Sequence, residues 1–408
     1  MTSWKTYRLG DVISIKSGFA YKGEYLGKGD KYLLGMGCVS FNEKFLPSGA
    51  RLYAGDVPSR YFVKAGDIVL ATRQQSDNLP ILGMPAIIPS TYKNTFVGAN
   101  LYAVQNDSDI DNNYLYWLLK TPEYIQHIKS CQTGTTVRMI TKSNIESFEF
   151  KCPNRIERNR ISNFLWSLEN KIENNRRINT NLELQAQALY KQWFVDFEFP
   201  NEEGEPYKSS GGKMVDSELG PIPEGWSVGT LSDLADVTMG QSPNGKSFNE
   251  NGDGIVFYQG RTEFGVRYPS IRLYTTEPTR YAEPMSVLLS VRAPVGDINI
   301  ATQRCCIGRG VASIKSKTDD NAYMYCCLKE LRPQLNQYNG EGTVFGSINR
   351  KELEGLVLCI PKYEIISKFN DVILGTDKQM LNLFQQTQNL ATLRDTLLPK
   401  LMNGEIKL

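Results

Sequence analysis

The residues whose types and spacing most suggest chemistry are Gly240-Gln241-Ser242-Pro243-Asn244-Gly245-Lys246-Ser247, which satisfy the phosphate-loop pattern G-x-x-x-x-G-K-[ST] at each fixed position. Such a loop cradles phosphate only when a helix follows at once, because the free amides of the helix N-terminus are the donors. Here Phe248-Asn249-Glu250-Asn251-Gly252-Asp253-Gly254 follows, too rich in glycine and asparagine to propagate a helix, so nucleotide binding is not expected. The single histidine, His127, sits in a helical pattern and reads as a packed or surface side chain, which disfavours most histidine-based hydrolysis. The eight cysteines contain no C-x-x-C pair, and neighbours such as Cys305 and Cys306 are badly placed to share a tetrahedral ion; buried reduced thiols and no metal site are expected. No G-x-S-x-G, H-E-x-x-H or N-P-P-[YF] signature occurs, and no catalytic residue is assigned.

What remains is polar and basic, in segments suited to nucleic acid. Arg73-Gln74-Gln75-Ser76-Asp77-Asn78 follows an apolar strand pattern, and Thr133-Gly134-Thr135-Thr136-Val137-Arg138 precedes a turn. Later in the chain, Gln241, Tyr258-Gln259-Gly260-Arg261, Arg292 and Thr343 are comparable. Arginine can make paired hydrogen bonds to guanine, and glutamine or asparagine to adenine, while threonine and lysine hold phosphates. A net charge of +2 neither demands nor excludes a polyanion, so these local groups carry the reading.

The elements that would position them are duplicated. Trp4, Leu9, Asp11, Val12 and Gly18 recur as Trp226, Leu231, Asp233, Leu234 and Gly240, with identical internal spacing. The buried-strand runs Gly66 to Arg73 and Met285 to Arg292 both end in arginine. From Pro153, matched by Pro361, the offset is a constant 208 residues.

Each copy then turns helical, the first with Asn154 as N-cap and Glu157 three residues on. Alternate steps of three and four give the stripe Ile161, Leu165, Leu168, Ile172, Asn175, Asn179, Leu182, Ala186, Leu189, Trp193. Its counterpart is Phe369, Ile373, Thr376, Met380, Leu383, Thr387, Leu390, Arg394, Leu397, Leu401. Two heptad seams of equal length and phase predict helices packed on each other, roughly 60 Å long at ~1.5 Å per residue. Asn175 and Asn179 are polar seam positions of the kind that set register. The predicted organisation is a globular part over 1–153, a helix over 154–198, a glycine- and serine-rich surface linker over 199–225, a second globular part over 226–361 and a second helix over 362–408, an α+β chain. With no bilayer-length apolar run and no signal-like start, a cytoplasmic location is expected.

The chain resembles the specificity subunits of type I restriction-modification enzymes along its whole length. Carrying the resemblance are Trp226 with Leu231 and Asp233; Gly240-Gln241-Ser242-Pro243 running on to Phe257-Tyr258-Gln259-Gly260; Ser290 to Asp297; and Gly342-Thr343 before Ile348 and Leu353. The segments Leu189 to Phe197, Leu219 to Trp226 and Leu397 to Ile406 look like that family's central-helix end and C-terminal ending. The resemblance implies two tandem α/β target recognition domains, each reading half of a split, asymmetric site in double-stranded DNA. It implies an antiparallel coiled coil with pseudo-two-fold symmetry as spacer, and two docked methyltransferase subunits with restriction (motor-nuclease) subunits beyond them. The chain itself would bind no cofactor, S-adenosylmethionine and ATP belonging to the partners. Tyr190, Trp193, Phe194, Phe197, Leu398 and Leu401 are candidates for partner contact at the helix ends. A tandem protein-interaction scaffold is the alternative; it would show no sequence preference on DNA.

Overall fold

The computed structural model describes residues 4–75, 81–339 and 346–408, and the chain divides into two compact units. One comprises residues 1–172 with 388–408, the other 173–387. The units therefore part within the long helices, and each combines a globular part with a stretch of both helices.

The first unit is organised by a four-stranded antiparallel sheet in the order Ile13–Ser17, Leu101–Asn106, Ile68–Ala71, Pro85–Ile87. The second unit repeats that order with Ala235–Met239, Val311–Ser316, Val287–Ser290, Ile298–Ile300. The apolar runs read as buried strands form the inner strands Ile68–Ala71 and Val287–Ser290, every residue of which is buried. Each unit adds a second sheet in which a parallel pair is embedded: Leu26–Leu34 beside Thr95–Val97, and Ile255–Tyr258 beside Cys305–Ile307.

The repeated W-x4-L-x-D motif closes each unit on itself. Lys5–Arg8 pairs with Glu149–Cys152 and Ser227–Thr230 with Val357–Ile360, in both cases the strand just before a long helix. The leucine is fully buried in both copies, and its N–H donates to an equivalent carbonyl, Leu9 to Phe148 O at 2.7 Å and Leu231 to Leu356 O at 2.9 Å.

The long helices span Arg155–Tyr190 and Tyr363–Met402. Asn154 Oδ1 accepts the Glu157 N–H at 3.0 Å, capping the first. Within the first unit Ile161 and Leu165 share a core with Leu398, Leu401 and Met402, and Glu169 forms a buried ion pair with Arg394. Within the second unit Asn175 Nδ2 donates to Gln386 Oε1 at 2.7 Å, and Asn179 Nδ2 to Met380 O at 3.2 Å. Leu165, Leu168, Ile172, Ile373 and Met380 are buried, whereas Leu182, Leu189, Leu383, Leu390 and Leu397 are half-buried. The apolar stripe omits Arg158, Glu169, Glu183 and Asp377, all buried charged residues on these helices. A helix wedged between a second helix and its own globular part is buried over more than one stripe, so charges beside the seam are enclosed too.

Two expectations change. The 199–225 stretch is a folded collar rather than a bare linker: the Phe199 ring stacks on Tyr207 at 4.6 Å and on Trp226 at 5.2 Å, and Ile222 is buried. Aromatic anchors at its ends outweigh its glycine and serine content. Tyr190, Trp193 and Phe194 are 6–7% exposed and pack with Phe369 and Tyr323 in the core of the second unit; Leu398 and Leu401 are buried in the first. Side chains enclosed in this way do not face a partner; of the six, only Phe197 is half-buried. Among the described residues no helix is long and apolar enough to cross a membrane.

Candidate nucleic-acid interface

In each unit one tight turn gathers the ends of several strands. In the first it is Gly98–Leu101, closed by Leu101 N–H to Gly98 O at 2.9 Å. Gly18 N donates to Leu101 O at 3.1 Å, Phe19 N to Val97 O at 2.7 Å, Gly98 N to Leu34 O at 3.0 Å, and Thr72 N to Asn100 O at 3.2 Å. In the second the turn is Gly308–Val311, closed at 2.9 Å, and the same four bonds recur. Gly240 N reaches Val311 O at 2.9 Å, Gln241 N reaches Ile307 O at 3.0 Å, Gly308 N reaches Tyr258 O at 2.8 Å, and Val291 N reaches Gly310 O at 3.0 Å. The repeated glycine of the opening motif is explained by this crossing. A Cβ on Gly18 would stand 2.1 Å from Gly98 O, and one on Gly240 2.2 Å from Gly308 O, distances no side chain tolerates.

The turn brings distant candidates together. Arg73–Gln74 pairs antiparallel with Arg138–Met139, so two polar segments picked out separately in the sequence form one small ribbon, with Thr135 exposed at its approach. In the second unit Arg292 bridges Ser347 in the same way, and Ile348 N donates to Val291 O at 3.1 Å as Ile140 N does to Thr72 O at 3.2 Å. Gln241 and Gln259 are exposed beside the second turn, Gly310 N donating to Gln259 O at 3.2 Å. Thr343, and Ser76 to Asn78, lie outside the described residues.

Not every candidate is free to read a base. Gln74 is buried, and its Oε1 is taken up by the Leu82 N–H at 3.3 Å. The neighbouring Gln75 is exposed. Arg261 is exposed but ion-paired with Asp297, which also takes Arg332 at 2.8 Å. Burial would raise the Asp297 carboxyl, yet hydrogen bonds from the two guanidiniums hold it below the ordinary carboxylate range. Arg73 and Arg292 are exposed and form no ion pair among the described residues. Sequence reading passed over Arg280 and Arg309, which share the second turn. Ile307 N donates to Arg280 O at 2.9 Å, and Arg309 N to Ser242 Oγ at 3.3 Å. The available signal was Gly308-Arg309-Gly310, an arginine between glycines just before a strand.

The phosphate-loop pattern is absorbed by local structure. Gly245–Ser247 is one 3-10 turn capped by Asn244, whose Oδ1 accepts the Lys246 N–H at 3.1 Å; a strand, Phe248–Asn249, follows. Ser247 is buried, with its hydroxyl 2.7 Å from that of Thr275. His127 places Nε2 2.7 Å from Asn144 O and packs its ring on Phe148. Among the described residues no group of His, Cys, Asp and Glu could hold a metal ion.

Residues 1–184 and 223–398 match the family described as the type I restriction modification DNA specificity domain. The chain is 24% identical to the type I restriction enzyme MjaIX specificity subunit of Methanocaldococcus jannaschii, over all of this chain and 89% of that one. It is also 24% identical to the HindI specificity subunit of Haemophilus influenzae, over the full length of both. Among solved structures, the S subunit of a type I system from M. genitalium superimposes with a TM-score of 0.57 at 16% identity, covering 98% of this chain and 96% of that one.

Proposed function

This chain belongs to the DNA specificity family of type I restriction-modification systems, and on that premise we propose that its two globular parts read the two halves of a split, asymmetric site in double-stranded DNA. The observation that carries the reading is the turn just described: one backbone crossing, built twice, presents an arginine at the same place and different neighbours around it. A scaffold held constant while its side chains vary suits a duplicated protein reading two unlike half-sites.

In this reading the chain is non-catalytic. Two methyltransferase subunits dock on it, bring S-adenosylmethionine and transfer a methyl to adenine, and ATP-dependent motor-nuclease subunits cut unmethylated DNA, in the cytoplasm. The two long helices pair antiparallel as a coiled coil with pseudo-two-fold symmetry and act as the spacer between readers. The Asn175–Gln386 and Glu169–Arg394 contacts between the two helices support this.

Replacing residues 1–150 by the corresponding domain of another family member is expected to change one half-site of the methylated motif and leave the other intact. Methylome sequencing of a host carrying the hybrid reads this directly; a hybrid that alters both halves, or neither, refutes it. Inserting one heptad into both helices adds about 10 Å, roughly three base pairs. The gap between half-sites should widen accordingly, and an unchanged gap removes the spacer role.

A further inference from the structure

Nine arginines lie between Trp226 and Pro361 in the second unit. Six are paired with acids: Arg261, Arg267, Arg272, Arg304, Arg332 and Arg350. The other three, Arg280, Arg292 and Arg309, are exposed and have no acidic partner among the described residues, and all lie at the Gly308–Val311 turn: Arg309 within it, Arg280 accepting the Ile307 N–H, and Arg292 next to Val291, whose N–H donates to Gly310 O. Three arginines without an acidic partner among the described residues at one corner, where the other six of this globular part are paired, mark a surface suited to a polyanion.

The same backbone bonds identify the corresponding residues of the first unit. Leu34 pairs with Val97 as Tyr258 pairs with Ile307, and Phe62 with Phe96 as Tyr281 with Cys306. Phe19, Tyr61 and Ala99 therefore stand where the second unit has Gln241, Arg280 and Arg309; the Phe19 and Tyr61 rings touch, with centroids 5.2 Å apart. Only the arginine at the strand end, Arg73 or Arg292, is shared. A residue common to two readers serves what their half-sites share, the phosphate backbone, and a residue that differs serves what differs, the base sequence.

We propose that Arg309 is a specificity-determining residue that reads a guanine in the half-site of the second domain, while Arg292, like Arg73, holds phosphate; this rests on the DNA-recognition reading above. Arg309 projects from the tip of a turn flanked by two glycines whose own positions are crowded by the Gln259 backbone: a Cβ on Gly308 would lie 3.0 Å from Gln259 Cα, and one on Gly310 2.8 Å from Gln259 O. The turn thus packs closely on the Gln259 backbone, and Arg309 is exposed on it, with a guanidinium fork of the kind suited to paired hydrogen bonds with guanine O6 and N7 in the major groove. Ala99 has nothing to offer such a base, so the first half-site has no corresponding guanine contact.

The test uses the full-length chain assembled with the methyltransferase subunits of its own system, binding a duplex library of random sequence. Arg309→Ala should lose preference at one guanine of one half-site, by roughly 5- to 150-fold, with the other half-site as internal control for folding. Arg292→Ala should weaken binding to all sequences alike and lower the salt slope by about one. Arg309→Ala that keeps every base preference, or that weakens all sequences uniformly, overturns the assignment while leaving DNA recognition standing. A wild-type assembly that enriches no two-part motif overturns the recognition reading itself, and the assignment with it.

Discussion

Arg267→Ala is expected to destabilise the second unit by about 3–5 kcal/mol, the cost of leaving buried charges without their partner. Arg267 is 4% exposed and comes from the globular part, where its guanidinium lies 4.2 Å over the Tyr325 ring. It reaches Glu183 on the first long helix at 2.5 Å and Asp377 on the second at 2.7 Å; Lys329 adds a contact of 2.6 Å to Glu183. One side chain thus ties the globular part to both helices of its unit. Loss of the arginine strands two carboxylates in the interior. Urea titration should show the drop in midpoint, and hydrogen exchange should locate it in residues 173–387.

The pH dependence gives the prediction a sign. Burial alone would raise the Glu183 carboxyl, but Arg267 and Lys329 overcome it and hold the group below the ordinary carboxylate range. In the native protein this contribution is present at neutral pH and is lost as pH falls through the lowered value. Asp377 runs the other way: burial pushes its carboxyl up, Arg267 offsets only part of that, and the charge of Glu183 adds to the rise. Without Arg267 both acids are raised, and acidification relieves the variant by protonating them. The deficit of Arg267→Ala relative to wild type should therefore be largest near neutral pH and shrink toward pH 4. A deficit that grows on acidification would contradict this assignment. Replacing Arg267, Glu183 and Asp377 together by apolar residues should recover most of the stability, because the only charge then left without its acid is Lys329, which is partly exposed to water and keeps its contact with the Tyr325 ring.

The second large effect is expected at the crossing glycines. Gly18→Ala and Gly240→Ala each place a methyl about 2 Å from a backbone carbonyl oxygen, Gly98 O or Gly308 O. Neither partner is a side chain that can rotate away, so the strand crossing must open, at a cost of about 3 kcal/mol, the upper end of overpacking. The functional result should be selective. Gly18→Ala is expected to abolish base preference in the half-site of the first domain and Gly240→Ala in that of the second, each leaving the other half legible to a random-library selection. Two variants that lose the same half-site would show that the crossings do not serve separate readers.

Several features are legible in the sequence alone. The spacing of Leu9 and Leu231, the apolar runs ending at Arg73 and Arg292, and the Asn154 cap depend on contacts along the chain or on repetition, which a linear reading can detect. The buried charges at Glu169, Glu183, Asp377 and Arg394 were less legible. A heptad stripe weighs apolar residues, and an acid beside the seam looks like solvated surface until its cation is seen. Glu169 and Asp377 occupy the same position of the repeat, yet the first is met by Arg394 from the opposite helix and the second by Arg267 from the globular part. The helix-end aromatics misled for a related reason. Tyr190, Trp193 and Phe194 on a predicted amphipathic helix suit a partner surface as well as a core, and only packing against Phe369 and Tyr323 distinguishes the two.

Periodicity, capping and repetition along the chain were enough to give the duplication, the buried central strands and the two long helices. Which polar side chains serve as struts and which are left exposed depends on the tertiary fold. Gln74 is taken up by Leu82, Arg261 by Asp297 and Arg267 by two helices, whereas Arg292 and Arg309 are exposed at the turn with no acidic partner among the described residues. Hydrogen-bond and ion-pair partners come from residues far away in the chain, so the availability of a side chain for DNA is a property of the fold.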